Sequence, residues 1–248
     1  MSVQWSWDRA FEALPVLLEG FKITLIATVL GFLISVVLGL VIALIRQAAP
    51  RWVSVPVRAI SEFIRLTPLV VQLLFVYYTF TGLSPLQIGV AVLGVHYSTY
   101  MAEVYRAGIE AVPVGQWEAA RALSIAPTRT WRAIILPQAI RRVVPALGNY
   151  AVSMFKDTPF LFAITVVEMV TAAQQFGARH FQYLEPLTLA GVIFLVASYP
   201  TSLLIRRLER RLARCRERSK PDDPIRRCRE AVRRPRRARP PGLPGRAR

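Results

Sequence analysis

Cysteine is almost missing from this 248-residue chain: there are two, Cys215 and Cys228, both near the C-terminus. No disulfide framework can hold the body together. Histidine is equally scarce. His96 and His180 lie in different segments without a neighbouring cysteine, and the sequence contains no HExxH, no GxSxG and no clustered ligand set, so neither a metal site nor a catalytic residue is expected. A GxxxxGK[ST] loop is also missing, so no ATPase site is expected in this chain. Charge is scarce in the body. Residues 1–205 hold 14 basic and 10 acidic side chains, whereas residues 206–248 hold 18 and 5, so most of the formal +17 belongs to the tail. A soluble basic nucleic-acid-binding domain would carry that charge on its folded face. The first 22 residues lack the basic and apolar regions of a cleavable signal. With Trp5, Trp7, Asp8, Glu12 and Glu19, they read as an extracytoplasmic or interfacial lead-in, 1–22.

Long apolar runs are what the sequence has in excess; 54% of its residues are apolar. Ile23–Ile45 is 23 residues without a charge; at ~1.5 Å per residue it crosses a ~30 Å hydrocarbon layer. Leu66–Ala102 is 37 uncharged residues, too many for one span, with a turn signal at Thr81-Gly82-Leu83-Ser84-Pro85. Leu187–Ile205 adds 19 more, and the stretch between Arg142 and Arg179 is apolar except for Lys156, Asp157 and Glu168. The pattern predicts an all-α polytopic membrane bundle of five spans. Phe160–Phe176 is expected to be a short or partly inserted helix after the fourth span. Basic residues of the connecting segments favour the sides holding 46–65 and 103–142 by ten to three, which places those segments and the tail in the cytoplasm and the N-terminus outside. The expected organisation is therefore 1–22, a transmembrane domain 23–205 with a cytoplasmic loop 103–142, and an Arg/Pro-rich tail 206–248.

That loop is long for a connector. Pro113 and Gly115 signal a helix start, Gln116–Leu123 favours helix, and Ala126-Pro127-Thr128 stops it. A second helix with Trp131, Ile134 and Ile135 is expected to end at Leu136-Pro137. Such a small helix-turn-helix suits docking against another protein; the plainer reading is an amphipathic cover for lipid.

Polar groups at membrane depth form a second set. Lys156 and Asp157 follow 13 uncharged residues after Arg142. Unpaired charges there are costly, so they face either a substrate pathway or an ion-pair partner, Glu168 among the candidates. Thr158 adjoins them. Gln72 and Asn149 are polar side chains inside spans, of the kind that bond helices together or line a pathway. Glu62 and Arg65, three apart, are expected to form a structural pair. His96 beside Tyr97 and Tyr100 reads as a hydrogen-bonded structural histidine. Gly31, Ser35 and Gly39 recur every fourth residue and predict close helix packing, at a subunit interface in one reading.

Several phrases occur together and in order: Glu62-Phe63-Ile64-Arg65-Leu66-Thr67-Pro68 with Gln72, Tyr100-Met101-Ala102-Glu103-Val104-Tyr105-Arg106-Ala107-Gly108-Ile109, Glu118-Ala119-Ala120 followed by Ile135-Leu136-Pro137, and Asn149 with Lys156-Asp157-Thr158. In this the chain, over roughly residues 15–210, resembles the permease subunits of binding-protein-dependent ABC importers, in their polar amino-acid branch. The phrases HYSTYMAEVYRAGIEAVPVGQWEAA and PALGNYAVSMFKDTP resemble most the ectoine/hydroxyectoine permease subunits.

The resemblance implies a type I (MetI-like) importer permease in the bacterial inner membrane. It implies a second permease subunit, identical or similar, two ATP-binding subunits that hold ATP and Mg²⁺, and an extracytoplasmic solute-binding protein. Loop 103–142 would be the family's EAA loop. Gly115 and Gln116 open its coupling helix, Glu118 is the charged anchor, Ala119 and Ala120 allow close packing against an ATPase, and Ser124, Leu136 and Pro137 complete the motif. Lys156, Asp157, Thr158, Asn149 and Gln72 become pathway or gate residues. The chain departs from the pattern at Ser124, where the family has glycine, and at Pro159, where it has serine. Ser124 fits if its φ stays negative; Pro159 predicts a helix break. An ion-coupled secondary transporter or channel is the competing class, for which an EAA loop is not needed. The resembling family ends soon after the fifth span, so the tail is expected to be disordered and dispensable, with cytoplasmic, reduced thiols.

Overall fold

The computed structural model describes residues 5–218, and among them every regular element is helical. Helix α1, Trp7–Ala48, is 42 residues long. Ser6 caps it by accepting from the Arg9 amide. The lead-in and the first apolar run are thus one continuous helix, with no break at residue 22.

Helix α2, Arg51–Leu66, and helix α3, Leu69–Thr79, meet at an angle of 105°. Pro68 causes the break: its ring forces Thr67 into extended backbone (φ −85°, ψ 135°) and ends α2. The expected turn at 81–85 separates α3 from helix α4, Pro85–Glu110. Ser84 and Gln87 form a capping box there: Ser84 Oγ accepts from the Gln87 amide and Gln87 Oε1 from the Ser84 amide.

Helix α4 is the central post. It packs along α1 and touches α2, α3 and a later helix, α7 (Leu136–Asp157). The α1–α4 seam is built from small residues. A Cβ added at Gly39 would lie 2.5 Å from Met101 Cβ and 2.8 Å from the Ser98 carbonyl oxygen, and one at Gly31 3.3 Å from Leu93 Cβ. Gly31, Ser35 and Gly39 are buried inside the chain by this contact. Their four-residue stripe is consequently an internal seam, not a subunit interface. Leu93, Met101, Met154, Leu161 and Ile164 fill the core beside it.

The loop helix α5, Val114–Ala122, is followed by a single turn, α6, Pro127–Arg129. Residues Thr130–Ile135 then wind as a π-helix that runs straight into α7, Leu136–Asp157. The second loop helix therefore does not stop at Leu136-Pro137 as expected. Pro137 lacks an N–H, and its ring would strike a carbonyl four residues back. Widening the preceding turn, with the Leu136 amide bonding five residues back to Trp131, lets the helix continue through the proline.

At the far end of α7, Pro159 acts as foreseen. The α-helix gives way to a 3₁₀ turn, Thr158–Ile164, and Thr165 adopts left-handed backbone (φ 64°). Helix α8 begins only at Met169 and runs to His180, so Phe160–Phe176 is not one helix. Glu168, fully buried, caps α8 by accepting from the Val170 and Thr171 amides and the Thr171 hydroxyl. Helix α9, Leu184–Arg218, extends past Ile205, the expected end of the last span. The chain divides into two compact units, Met1–Glu209 and Arg210–Arg248. The Arg/Pro-rich stretch beyond Arg218, with Cys228, lies outside the described residues.

By length and composition α1 and Leu184–Arg207 can each cross a membrane, and two bent pairs, α2 with α3 and Pro127–Ile164 with α8, pass the same test together. Their outer faces are apolar, as at Val29, Leu33 and Val37 of α1, all more than half exposed.

Candidate functional site: the 103–142 loop and the polar cluster on α7

Helix α7 carries a candidate site at each end. At its start the loop 103–142 folds onto it. Trp117 of α5 meets Trp131 edge to face, with centroids 5.2 Å apart, over a small core of Val112, Ile135 and Ala139. Ala120 is buried in this seat (2% exposed), whereas Gly115, Gln116, Glu118 and Ala119 lie on the open side of α5. Ala120 thus anchors the loop to its own chain and is not available for packing against a partner, in contrast to the expectation. Val114 and Leu123 extend the open face with exposed apolar side chains.

The turn after α5 explains Ser124. The Ser124 amide bonds to the Arg121 carbonyl (2.9 Å) and the Ile125 amide to the Ala120 carbonyl (3.0 Å), the two bonds of a Schellman C-cap. The residue after the cap in that motif takes positive φ, and Ser124 has φ 55°. The condition of negative φ is not met: this serine holds a glycine conformation. Leu136 and Pro137 are exposed at the π–α junction. Gln138 reaches back to Gln116 (3.3 Å), and Arg142 donates to the Ala111 carbonyl, tying the start of α7 to the end of α4.

At the other end of α7, Asp157 Oδ2 accepts a 2.6 Å hydrogen bond from the Tyr97 hydroxyl of α4. Tyr97 packs edge to face against His96 and Tyr150 and tilted against Tyr100, at ring separations of 5.6–6.4 Å. His96 Nδ1 lies 3.1 Å from Gln72 Oε1, and Gln72 Nε2 donates to the Ile64 and Thr67 carbonyls at 2.6 and 3.0 Å. Those carbonyls only accept, so the amide nitrogen must face them. The oxygen left over requires a proton on His96 Nδ1. Gln72 therefore closes the C-terminus of α2 across the Pro68 break, and His96 of α4 holds Gln72 in place.

The structure joins Gln72 and Asp157 through His96 and Tyr97 and leaves the other predicted pathway residues outside that chain. Thr158 is buried and its hydroxyl donates to the Phe155 carbonyl, so it offers nothing to a pathway. Asn149 is exposed on the α7 surface. Lys156 is exposed and forms no ion pair among the described residues; Glu168 is taken up as the α8 cap. The Glu62–Arg65 pair does not form, because Glu62 accepts from Arg58 one turn earlier (3.1 Å). The tyrosines Tyr97, Tyr100 and Tyr150 were missed as site residues. Hydroxyl-bearing rings three apart in a span, at 97 and 100, were the available signal.

The family model for binding-protein-dependent transport system inner membrane components matches residues 35–214. A probable amino-acid ABC transporter permease of Sinorhizobium fredii is 46% identical over 213 residues, 82% of this chain and 92% of that one. The glutamine transport permease of Escherichia coli is 33% identical over 217 residues, 85% and 99% of the two chains. A solved amino acid ABC transporter with histidines superposes with a TM-score of 0.80 at 32% identity, covering 84% of this chain and 99% of its own.

Proposed function

We infer function from membership: the chain belongs to the family of binding-protein-dependent transport system inner membrane components, and it is the permease subunit of an amino-acid ABC importer. Membership implies ATP-binding subunits and a binding protein, with no ATPase site here. We propose that two permease chains, alike or similar, face each other, and that ATP and Mg²⁺ are held by the partner subunits alone. Five passes, by α1, the α2–α3 pair, α4, α7 and α9, run from an outer N-terminus to a cytoplasmic C-terminus. The cargo is a small zwitterion. Relatives speak for a polar amino acid; the ectoine assignment rests on the two sequence phrases quoted above.

One observation carries the mechanism: a single helix, α7, bears the seat of α5 at its start and Asp157 at its end. Glu118 and Ala119, on the open face of α5, are proposed to enter a groove of the ATPase. The Trp117–Trp131 seat makes α5 move with α7, and α7 delivers the displacement to the Tyr97–Asp157 contact. Asp157 and Lys156 are the proposed pathway groups, with Gln72 holding the α2–α3 break beside them; a carboxylate and an ammonium suit the two ends of a zwitterion.

Vesicles holding this chain, a partner permease, the ATPase and binding protein loaded with labelled glutamine or ectoine test the reading. ATP-dependent uptake of either solute, lost at least tenfold in Glu118→Lys without loss of membrane insertion, is the expected result. Glutamine uptake alone discards ectoine. Uptake driven by an ion gradient without the ATPase overturns the whole reading.

A further inference from the structure

Helix α2 has two unlike faces. Trp52, Val55, Ile60, Phe63 and Leu66 form one stripe, each more than half exposed. Arg51, Ser54, Arg58, Glu62 and Arg65 form the other, and they line a cleft of about 760 Å³ between α2 and the neighbouring ends of α1 and α4. Arg46 and Arg106 complete its cationic lining; Glu62, Glu103 and Glu110 are its acids. Five arginines against three glutamates leave a net charge of +2. Glu103 holds Arg46 (2.6 Å) and Arg106 (2.8 Å), Glu110 also holds Arg106, and Glu62 holds Arg58. Among the described residues Arg51 and Arg65 have no acidic partner.

We propose that this cleft binds the phosphate of an anionic phospholipid, with Arg51 and Arg65 as its clamp. The 105° bend at Pro68 turns α2 away from the axis of α3, and an amphipathic helix with an exposed apolar stripe seats that stripe at the acyl boundary. That depth puts the adjoining cationic face level with lipid phosphates. Basic clefts between membrane helices are suited to such headgroups. Two guanidinium forks with no internal counter-ion match the paired oxygens of a phosphate. The size of the cleft is that of a small-molecule site. Val55 lines the cleft and also belongs to the apolar stripe, so headgroup and acyl chain find adjoining surfaces on one helix. A free phosphate would use the clamp and leave the stripe idle; a lipid uses both. The inference does not depend on which solute the permease carries.

The test is native mass spectrometry of the full chain in detergent micelles with equal phosphatidylglycerol and phosphatidylcholine, and separately with inorganic phosphate. Phosphatidylglycerol should be retained at least tenfold over phosphatidylcholine. Each cation near an anionic surface is worth roughly fivefold, so the Arg51→Ala/Arg65→Ala double variant should erase the preference. The Arg51→Lys/Arg65→Lys variant should keep most of it, and Lys22→Ala, at an ion pair on α1 away from the cleft, should keep all of it. Arg51→Gln alone, at an exposed position, carries the test if the double variant does not fold. Equal retention of the two lipids, or a preference untouched by these variants, overturns the proposal. Inorganic phosphate bound with the same arginine dependence and without lipid selection also overturns it, in favour of a soluble anion.

Discussion

Ser124 holds the left-handed conformation that closes the C-terminus of α5, with φ 55° and both Schellman bonds in place. A residue with a Cβ in that conformation carries about 1 kcal/mol of strain that glycine does not. Ser124→Gly should remove it without touching a contact, since the side chain is exposed. In a domain of this size 1 kcal/mol moves Tm by about 2–4 °C. A melt of the purified protein should therefore rise by that amount; an unchanged or lower Tm would mean the turn is not strained. The substitution was visible in the sequence as a departure at Ser124, but its φ was not, because the sign is set by the Ala120 and Arg121 carbonyls that the turn must satisfy. Gln72 was legible in the same partial way. A polar residue in a span announces that it has a partner, yet the partner is a pair of carbonyls freed by Pro68, eight and five residues away.

At the scale of elements, α7 and its π turn are the part that run-length reading could not reach. A proline after a helical stretch reads as a stop, as Leu136-Pro137 does. The six-residue π segment converts the stop into a passage and in doing so adds one residue to the turn that carries Trp131 and Ile135. One residue is ~100° of helical rotation, so this turn sets which side of α7 the α5 helix sits on. Pro137→Ala restores an amide and removes the ring clash, and the segment should relax to α-helix. The expected outcome is a folded, inserted chain whose ATPase partner still hydrolyses ATP while solute uptake falls at least tenfold, read by parallel hydrolysis and uptake assays. Wild-type uptake in this variant would show that the π turn does not set the seat. The Pro159 break, by contrast, was legible, because nothing downstream compensates it. The late start of α8 at Met169 depends on the buried Glu168 cap, which no local pattern distinguishes from a membrane-depth charge awaiting a cation.

For the molecule as a whole, the apolar runs, the turn at 81–85 and the order of the spaced motifs were enough to reach an all-helical permease, since each is a local property of the chain. Pairings were not legible. Tyr97 and Asp157 are sixty residues apart in sequence and meet only because α4 stands against both α1 and α7. The small-residue stripe of α1 states that something approaches closely, without stating what. It is α4, and this seam is where the assembly of the bundle is most exposed to a single methyl group. A Cβ at Gly39 would lie 2.5 Å from Met101 Cβ and 2.8 Å from a backbone oxygen, neither of which is the loose end of a side chain. Gly39→Ala should cost about 1–3 kcal/mol by overpacking. That outweighs the ~1 kcal/mol that alanine gains over glycine inside a helix. Gly191 on α9 has nothing within 4 Å of the same added atom, so Gly191→Ala gains the propensity and loses no packing. Chemical unfolding of the two variants in one detergent should therefore move in opposite directions, Gly39→Ala down and Gly191→Ala level or up. Two equal shifts would mean that the α1–α4 seam yields as easily as open surface, and that α4 is not the post on which the rest of the permease stands.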